Sequence, residues 1–577
     1  MATNAPRRDS GPGQSYEEVI QQQQQQEQQR QRQWQQQQHK YRPRWSLNDL
    51  STELLTMIFE QLRVIDTRYV SSARLLCRWY NQLATPIAYR TVVLTERITS
   101  HDAEQRYSRA LANIYAYTNH VVASSNLDQA GTRKILQKIR NLATVREVDL
   151  EQFWMPADVL NAEQTRHHNT RLYVEELPLR EFEDELRDIY VRAIPVQLLV
   201  SLKTAYPSPP LVTRLNSLKY LLLASRRLEI LHFEDRGQGT QFDFAPHERL
   251  PAFRELSLQS YDWRHTPEEV ARHWDFSRIT SLELISVPIY NFLGSVDFHD
   301  LANLRTLHCE DFSAHHPPEQ RVEATRGLYV LIKSHIRALS SIKITVHTAD
   351  LPIDALLPHA PYLTDLRLRD HTGFDEEDRR CPTLAHADLA LLARHMRRLR
   401  TLELDMDTAL ADVPRFLKAA CSFPSLHTLV LHVQTVLRPF GPAIVPGTDR
   451  DYEAAAVIFR FLVRHKVGCV PWRSVTINVG GWRRVLVRRL SEAWRSLNER
   501  GVFAERCFVM ERREGPDGDG GLVVREEFPL EASRHVTPDN EGRADVLDHV
   551  DKEDDDDDDD DDNDNRETED EHANDDG

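Results

Sequence analysis

A phrase of apolar residues recurs through the middle of the chain and constrains the fold more than any other feature. Its form is apolar-x-x-apolar-x-apolar, and its last three positions alternate as in a strand with one buried face. The copies are Val145/Val148/Leu150, Leu228/Leu231/Phe233, Phe253/Leu256/Leu258, Ile279/Leu282/Leu284, Leu304/Leu307/Cys309, Leu339/Ile342/Ile344, Leu363/Leu366/Leu368, Leu399/Leu402/Leu404, Leu426/Leu429/Leu431 and Trp472/Val475/Ile477. Their middle residues are separated by 83, 25, 26, 25, 35, 24, 36, 27 and 46 residues. This recurrence predicts stacked repeats, each touching only its neighbours.

Many of these steps lie near the 20–29 residues typical of leucine-rich repeats, and the longer ones indicate insertions or a missed repeat. Helix-like stretches at 384–396 and 452–464 lie between the predicted strands. We therefore expect an irregular α/β solenoid resembling leucine-rich repeats over residues 91–530. Weaker copies at 91–94 and 121–123 extend it towards the N-terminus. A hairpin of 507–510 and 522–524, across a turn at 515–521, closes it.

Both ends of the chain are polar, and neither can bury enough apolar surface to offset chain entropy. Residues 1–44 are rich in Gln, and residues 531–577 are polar and acidic, so both are expected to be disordered. Residues 551–577 contain 14 Asp and 4 Glu against two basic residues, and thus carry −16 of the formal net charge of −17. The rest of the chain is nearly neutral, so no nucleic-acid partner is expected. The tail itself is interpreted as solvated, with electrostatic binding of a partner as the alternative.

Residues 45–90 have a helical pattern. Ser51 is the expected N-cap of a first helix, and Glu53 suits its positive end. A second periodic run extends from Tyr69 to Leu83 and is expected to stop at Pro86. Two or three short helices in about 45 residues form a small core. Such a module needs a partner surface or the domain that follows it.

The sequence of this segment resembles a known module. LSTELLTMIFEQL at 50–62 resembles the start of an F-box, and LCRWYNQLATP at 76–86 resembles its second half. The continuation to Leu94 is similar to the exit found in many fungal F-box proteins with leucine-rich repeats. Ser51 stands where the family usually has Pro, and Tyr80 stands where it has Trp, with Trp79 one place early. These departures are expected to weaken docking at most.

The resemblance implies a substrate-recognition adaptor of an SCF-type (Skp–cullin–F-box) E3 ubiquitin ligase. Its F-box would bind the Skp-type linker and cullin ligase core, and its repeats would bind an unknown protein substrate. An adaptor acts by proximity and supplies no catalytic residue. The apolar residues expected to dock to the linker are Leu50, Leu54, Leu55, Ile58, Phe59, Leu62, Leu76, Tyr80 and Leu83.

Other classes of function lack a supporting pattern. HExxH, GxxxxGK[ST] and GxSxG are absent, so no enzyme activity, metal or cofactor is expected. Six isolated cysteines indicate a reducing compartment, the cytoplasm or the nucleus, and no apolar run is long enough for a membrane span. The alternative is a non-ubiquitin scaffold or nuclear regulatory protein that uses the repeats and acidic tail. Strand residues expected to face a protein ligand are Glu229, Ile230, Glu255, Ser257, Glu283, His308, Lys343, Arg367, Glu403 and His432.

Overall fold

The structure is a computed structural model. It describes residues 47–124, 126–148, 160, 169–182, 186–205, 214–235, 239–310, 318–371, 383–406, 412–433, 450–468, 470–479, 506–512 and 522–527. The Gln-rich segment, the predicted turn at 515–521 and the acidic tail lie outside these residues.

A module of three helices precedes the repeats. After a 3₁₀ turn at Leu47–Asp49, helix α1 spans Thr52–Ile65, α2 spans Thr67–Leu76 and α3 spans Arg78–Ala88. Ser51 is the N-cap of α1, and its Oγ accepts a hydrogen bond from the Leu54 amide at 3.4 Å. Asp66 caps α2 in the same way, because its Oδ1 accepts from the Arg68 amide at 2.7 Å.

The second periodic run forms two helices, and its predicted end at Pro86 is wrong. Cys77 has an extended backbone, with φ −158° and ψ 168°, and its Sγ accepts from the Tyr80 amide at 3.4 Å. Pro86 lies inside α3, which continues to Ala88. The missing proline N–H removes one helical hydrogen bond in the final turn.

The strands form one continuous sheet in which each strand pairs with the next one in sequence. The pairs from β1 to β14 are parallel, and β15 and β16 close the sheet as an antiparallel pair. The strands β1–β16 are Thr91–Val93, His120–Ser124, Thr144–Val148, Arg171–Leu177, Leu199–Thr204, Ile230–Glu234, Glu255–Gln259, Ser281–Ile285, Thr306–Glu310, Ser341–Val346, Asp365–Asp370, Thr401–Asp405, Thr428–Val433, Ser474–Val479, Arg506–Arg512 and Leu522–Glu527. A mixed α/β chain with a long parallel sheet and solenoid-like repeats is thereby confirmed.

Nine of the predicted phrases coincide with strands β6 to β14. Their middle residues stand opposite one another across the sheet and are buried: Leu231, Leu256, Leu282, Leu307, Ile342, Leu366, Leu402, Leu429 and Val475. The weaker copies coincide with β1 and β2, and the predicted hairpin coincides with β15 and β16. Each repeat therefore places the same strand position in the core.

The first predicted phrase is out of register by three residues. In β3 the buried middle residue is Val145, which stands opposite Leu172 of β4. Strands β4 and β5 fill the predicted gap of 83 residues, with opposed residues separated by 27, 28 and 29 positions at Val145/Leu172, Val174/Leu202 and Leu202/Leu231. The sequence pattern missed these repeats because polar Asn169 and Thr204 replace apolar residues of the phrase.

The remaining helices connect the strands and pack on the buried side of the sheet. Helices α4–α15 are Glu96–Thr99, Ala103–Arg106, Ser108–Tyr117, Gln129–Lys138, Ile189–Ala193, Asn216–Ala224, Pro267–His273, Ile289–Ser295, Pro318–Val330, His386–His395, Val413–Cys421 and Arg450–His465. A π-helical turn, Leu331–His335, continues α12, and 3₁₀ turns lie at Thr348–Asp350, Ile353–Ala355 and Leu357–His359. The repeat core and the module core share no residue.

Candidate functional sites

The helical module has a core on one side and an exposed apolar surface on the other. The core contains Leu55 and Phe59 of α1 and Tyr80 of α3, and the Phe59 and Tyr80 rings meet edge to face at 5.6 Å. On the opposite side of α1, Leu54, Met57, Ile58, Val64 and Ile65 are exposed. Because both sides of α1 are apolar, burying one side leaves the other in water.

The structure divides the nine predicted docking residues into three groups. Leu55, Phe59 and Tyr80 are buried, so they form the core of the module. Leu50, Leu62 and Leu83 are partly buried against that core. Leu54, Ile58 and Leu76 are exposed and available to a partner without rearrangement.

Sequence reasoning missed several exposed apolar residues of the module. These are Met57, Val64, Ile65 and Leu75, together with Tyr69, which it assigned only to a helical run. Leu75 is 88 % exposed. Positions 54, 58 and 65 recur at four and seven residues, which is a second helical stripe offset from Leu55 and Phe59. The presence of two apolar stripes on one short helix was the signal in the sequence that one of them would be exposed.

The module is joined closely to the repeats. Only Tyr89 and Arg90 separate α3 from β1, and the Arg90 carbonyl accepts from two backbone amides that lead into β2. The Thr118 hydroxyl donates to the Tyr89 carbonyl at 2.9 Å, and Arg90 pairs with Glu60 of α1 at 2.6 Å. These contacts fix the module against the first repeats.

A second candidate surface is the outer face of the sheet, defined as the face opposite the buried leucines. Pairing between strands places Ser257, Glu283, His308, Lys343, Arg367 and Glu403 in one row across β7 to β12. Six of the residues predicted to face a ligand therefore stand side by side. Ile230 and Glu255 belong to the neighbouring row on the side of the strand starts. His432 pairs with Asp405 in the neighbouring row on the side of the strand ends. Glu229 immediately precedes β6.

Ion pairs connect the charged residues of this outer face. His308 lies between two carboxylates, with Nδ1 2.6 Å from Glu283 and Nε2 2.7 Å from Glu310. Arg367 reaches over β10 to contact Glu310, and its Nε lies 3.0 Å from Glu403. The network therefore extends over five strands.

Glu403 is the most heavily paired member of the network. One of its oxygens lies 2.8 Å from His432 Nε2 and 3.6 Å from Arg369 Nη1, in addition to the contact with Arg367. Arg369 also contacts Asp405 at 2.8 Å. Burial raises the pKa of Glu403, but the neighbouring cations, Arg367 first, outweigh it and hold that pKa far below its ordinary value.

At the Glu283 end of the network, burial and the neighbouring groups again have opposite effects on the pKa values. Burial raises the pKa of Glu283, but hydrogen bonds from His308 and Ser257 lower it to about 2. Burial disfavours charge on His308, yet its two carboxylate partners raise the pKa of the ring. Glu283 is therefore charged near neutral pH, and His308 keeps its proton to a higher pH than an ordinary imidazole does.

The hydroxyl of Ser257 belongs to the same network, because it donates to Glu283 at 2.9 Å. Among the described residues, no group of three or more His, Cys, Asp or Glu side chains is placed to hold a metal ion. No described helix is long and apolar enough to cross a membrane. The histidine pairs at 167–168 and 315–316 lie outside the described residues.

Comparisons with known proteins add little to this geometry. No protein-family model matches the chain, and no curated protein matches it. Among solved structures, it is similar to the leucine-rich repeat-containing protein LegL7 from Legionella pneumophila at 12 % identity and a TM-score of 0.21, over 66 % of this chain and 93 % of that one. A likeness at this TM-score carries no argument. The strand order and register alone define the class, a repeat protein built on a parallel sheet.

Proposed function

We propose that this chain is a substrate-recognition adaptor of an SCF-type E3 ubiquitin ligase. The observation that carries the proposal is the exposed apolar surface of the helical module, on which Leu54, Met57, Ile58 and Leu76 face solvent. A small module with this much exposed apolar surface is expected to have a protein partner. The resemblance of residues 50–62 and 76–86 to an F-box identifies that partner as the Skp-type linker, bound to a cullin core.

The connection between the module and the repeats supports an adaptor role. Transfer of ubiquitin depends on holding a target at a fixed distance from the ligase core. The two-residue connection and the Glu60–Arg90 pair attach the module to β1 and β2 without a long linker. A linker protein docked to the module would then be held in a constant relation to the first repeats.

The outer face of the sheet is the proposed site for a protein target. Its charges have both signs, which suits a polar protein surface better than a lipid or polyanion. Lys343 stands between His308 and Arg367 in the row that crosses β7 to β12, and it makes no ion pair with another described residue. Its ammonium group is therefore available to an acidic side chain of the target.

Co-purification with the Skp-type linker tests the proposal. The full chain should recover the linker, and Leu54→Asp with Ile58→Asp should weaken that complex at least about 100-fold, because charged groups would enter an apolar interface. The matched control is Leu186→Asp with Val330→Asp, which alters two exposed apolar residues of the repeats and should leave the affinity unchanged. A wild-type chain that never recovers the linker would refute the adaptor role and favour a scaffold without ubiquitin chemistry.

A further inference from the structure

The start of each strand near the C-terminal end of the sheet is marked by basic residues. The Arg400 amide donates to the Thr364 carbonyl at 2.7 Å, the His427 amide to the Arg400 carbonyl at 3.0 Å, and the Arg473 amide to the His427 carbonyl at 2.8 Å. These bonds place Arg400, His427 and Arg473 on adjacent strands, separated by steps of about 4.8 Å.

Two more arginines extend this row. Arg397 and Arg398 lie in the turn before β12, and the Ser425 hydroxyl donates to the Arg397 carbonyl at 2.7 Å, which ties this turn to the next repeat. Arg397, Arg398, Arg400 and Arg473 are all exposed. We call these four residues the basic edge.

The basic edge has a local excess of positive charge. None of its four side chains forms an ion pair with another described residue. Two of the described carboxylates are near: Glu511 of β15 is paired with Arg525 at 3.1 Å, whereas Asp365 accepts a hydrogen bond from the neutral Thr364 hydroxyl at 2.6 Å and keeps its negative charge. Four guanidinium groups therefore stand against one unpaired carboxylate. Burial lowers the pKa of His427, and the charges of Arg473 and Arg400 lower it further against the opposite effect of Asp365.

We propose that the acidic segment of this same chain, residues 551–577, binds the basic edge. That segment carries −16 on a chain whose other residues are nearly neutral, so it is the strongest anionic partner within reach. The contact is electrostatic, with tail carboxylates facing four guanidinium groups. This inference stands apart from the adaptor role and does not depend on it.

The length of the chain permits the contact. Strand β16 ends at Glu527, and 26 residues separate it from the unbroken run of Asp554 onward. A random-coil chain of 26 residues has a root-mean-square end-to-end distance of about 28 Å. The basic edge begins two strands from β16 and reaches β12, about 25 Å away when strand spacing and strand length are combined. A tether of this length gives an effective concentration on the order of 1 mM.

Binding of a labelled tail peptide to the full chain tests the inference. The probe is a fluorescent peptide of residues 551–577, and the receptor is the full chain with its fourteen tail aspartates replaced by Asn. We expect a Kd of about 100 µM by anisotropy at low salt, rising steeply with salt. The wild-type chain should bind the peptide about tenfold more weakly, because its own tail competes at about 1 mM.

Two sets of arginine substitutions locate the site. Arg397→Gln, Arg398→Gln, Arg400→Gln and Arg473→Gln in the Asn-tail chain should weaken peptide binding at least about tenfold. The control replaces four exposed arginines elsewhere, Arg109, Arg133, Arg140 and Arg272, by Gln and should change the Kd less than twofold. If circular dichroism shows that the fourfold edge variant is unfolded, Arg397→Gln with Arg398→Gln alone should still weaken binding at least threefold.

Several outcomes would overturn the inference. These are a peptide that does not bind the Asn-tail chain, a wild-type chain that binds it equally well, or a control set that weakens binding as much as the edge set. A labelled single-stranded RNA that binds through the four arginines while the peptide does not would assign the edge to a nucleic acid instead.

Discussion

Replacement of His359 by Leu should destabilise the repeats by an amount that depends on pH. His359 is fully buried beside the π-helical turn. In that turn the Ile336 amide donates to the Leu331 carbonyl, so the Ile332 carbonyl lacks the amide that an α-helix would offer it. The His359 ring replaces that amide, with Nε2 2.8 Å from the Ile332 oxygen.

The other ring nitrogen of His359 fixes its protonation state. The Leu339 amide donates to Nδ1 at 3.2 Å, so Nδ1 must lack a proton while Nε2 carries one. The ring is therefore neutral, in agreement with the burial that lowers the pKa of His359 below 6.5. Leu would leave two buried backbone groups without partners, at about 1–3 kcal/mol each, or about 2–6 kcal/mol in total.

Urea unfolding at two pH values measures this effect. The contribution of a histidine with a lowered pKa is present above pH 6.5 and is lost as the pH falls towards the folded-state pKa. The difference in unfolding free energy between wild type and His359→Leu should thus be smaller at pH 5.5 than at pH 7.5, by at most about 1.4 kcal/mol. His395→Leu, at an exposed helical position, is the control and should cost less than about 0.5 kcal/mol. A difference that grows at acid pH would refute the neutral ring.

Three further substitutions or titrations test other parts of the structure. Leu55→Ala should lower the free energy of unfolding in urea by about 2–5 kcal/mol, because the Leu55 side chain is 1 % exposed. The control, Leu54→Ala, should lower it by less than about 0.5 kcal/mol, and equal losses would contradict the assigned faces of α1. Gly468→Ala should lower the unfolding free energy by at least about 1 kcal/mol, since Gly468 has φ +98° and a Cβ there would stand 2.6 Å from the Pro424 carbonyl oxygen; an unchanged midpoint would contradict that geometry. In an NMR titration, the His308 ring should lose its proton above pH 6.5, and a midpoint below pH 6.5 would contradict the two carboxylate contacts. The contribution of His308 to stability should be present below pH 6.5 and lost as the pH rises through the raised pKa.

The sequence predicts the repeats well because one physical cause governs them. Every repeat must bury the same two strand residues, so Leu231, Leu256 and Leu282 recur at nearly constant steps. The pattern missed repeats in which one position of the apolar phrase holds a polar residue. Strand β5 continues the sheet although its last position is Thr204, since hydrogen bonding between strands is independent of side-chain identity.

The module shows a different limit of sequence reasoning. Spacing identifies α1 as a helix with two apolar stripes, but it does not say which stripe faces α2 and α3. Leu55 and Phe59 enter the core, while Leu54 and Ile58, one position before each, remain outside. Tertiary packing decides between faces of nearly equal hydrophobicity, so the candidate docking surface required the structure.

Charge shows most clearly what a linear pattern omits. Arg400, His427 and Arg473 are 27 and 46 residues apart in sequence yet adjacent in space, because each precedes a strand of the same sheet. A nearly neutral body therefore does not mean a uniformly neutral surface. The outer face pairs its acids with His308, Arg367 and Arg369, whereas the arginines of the basic edge form no ion pair with any residue that the structure describes. In a solenoid, residues at the same position of successive repeats lie side by side in a row. A row of residues with the same sign of charge creates a local electric field, even where the net charge of the folded body is near zero.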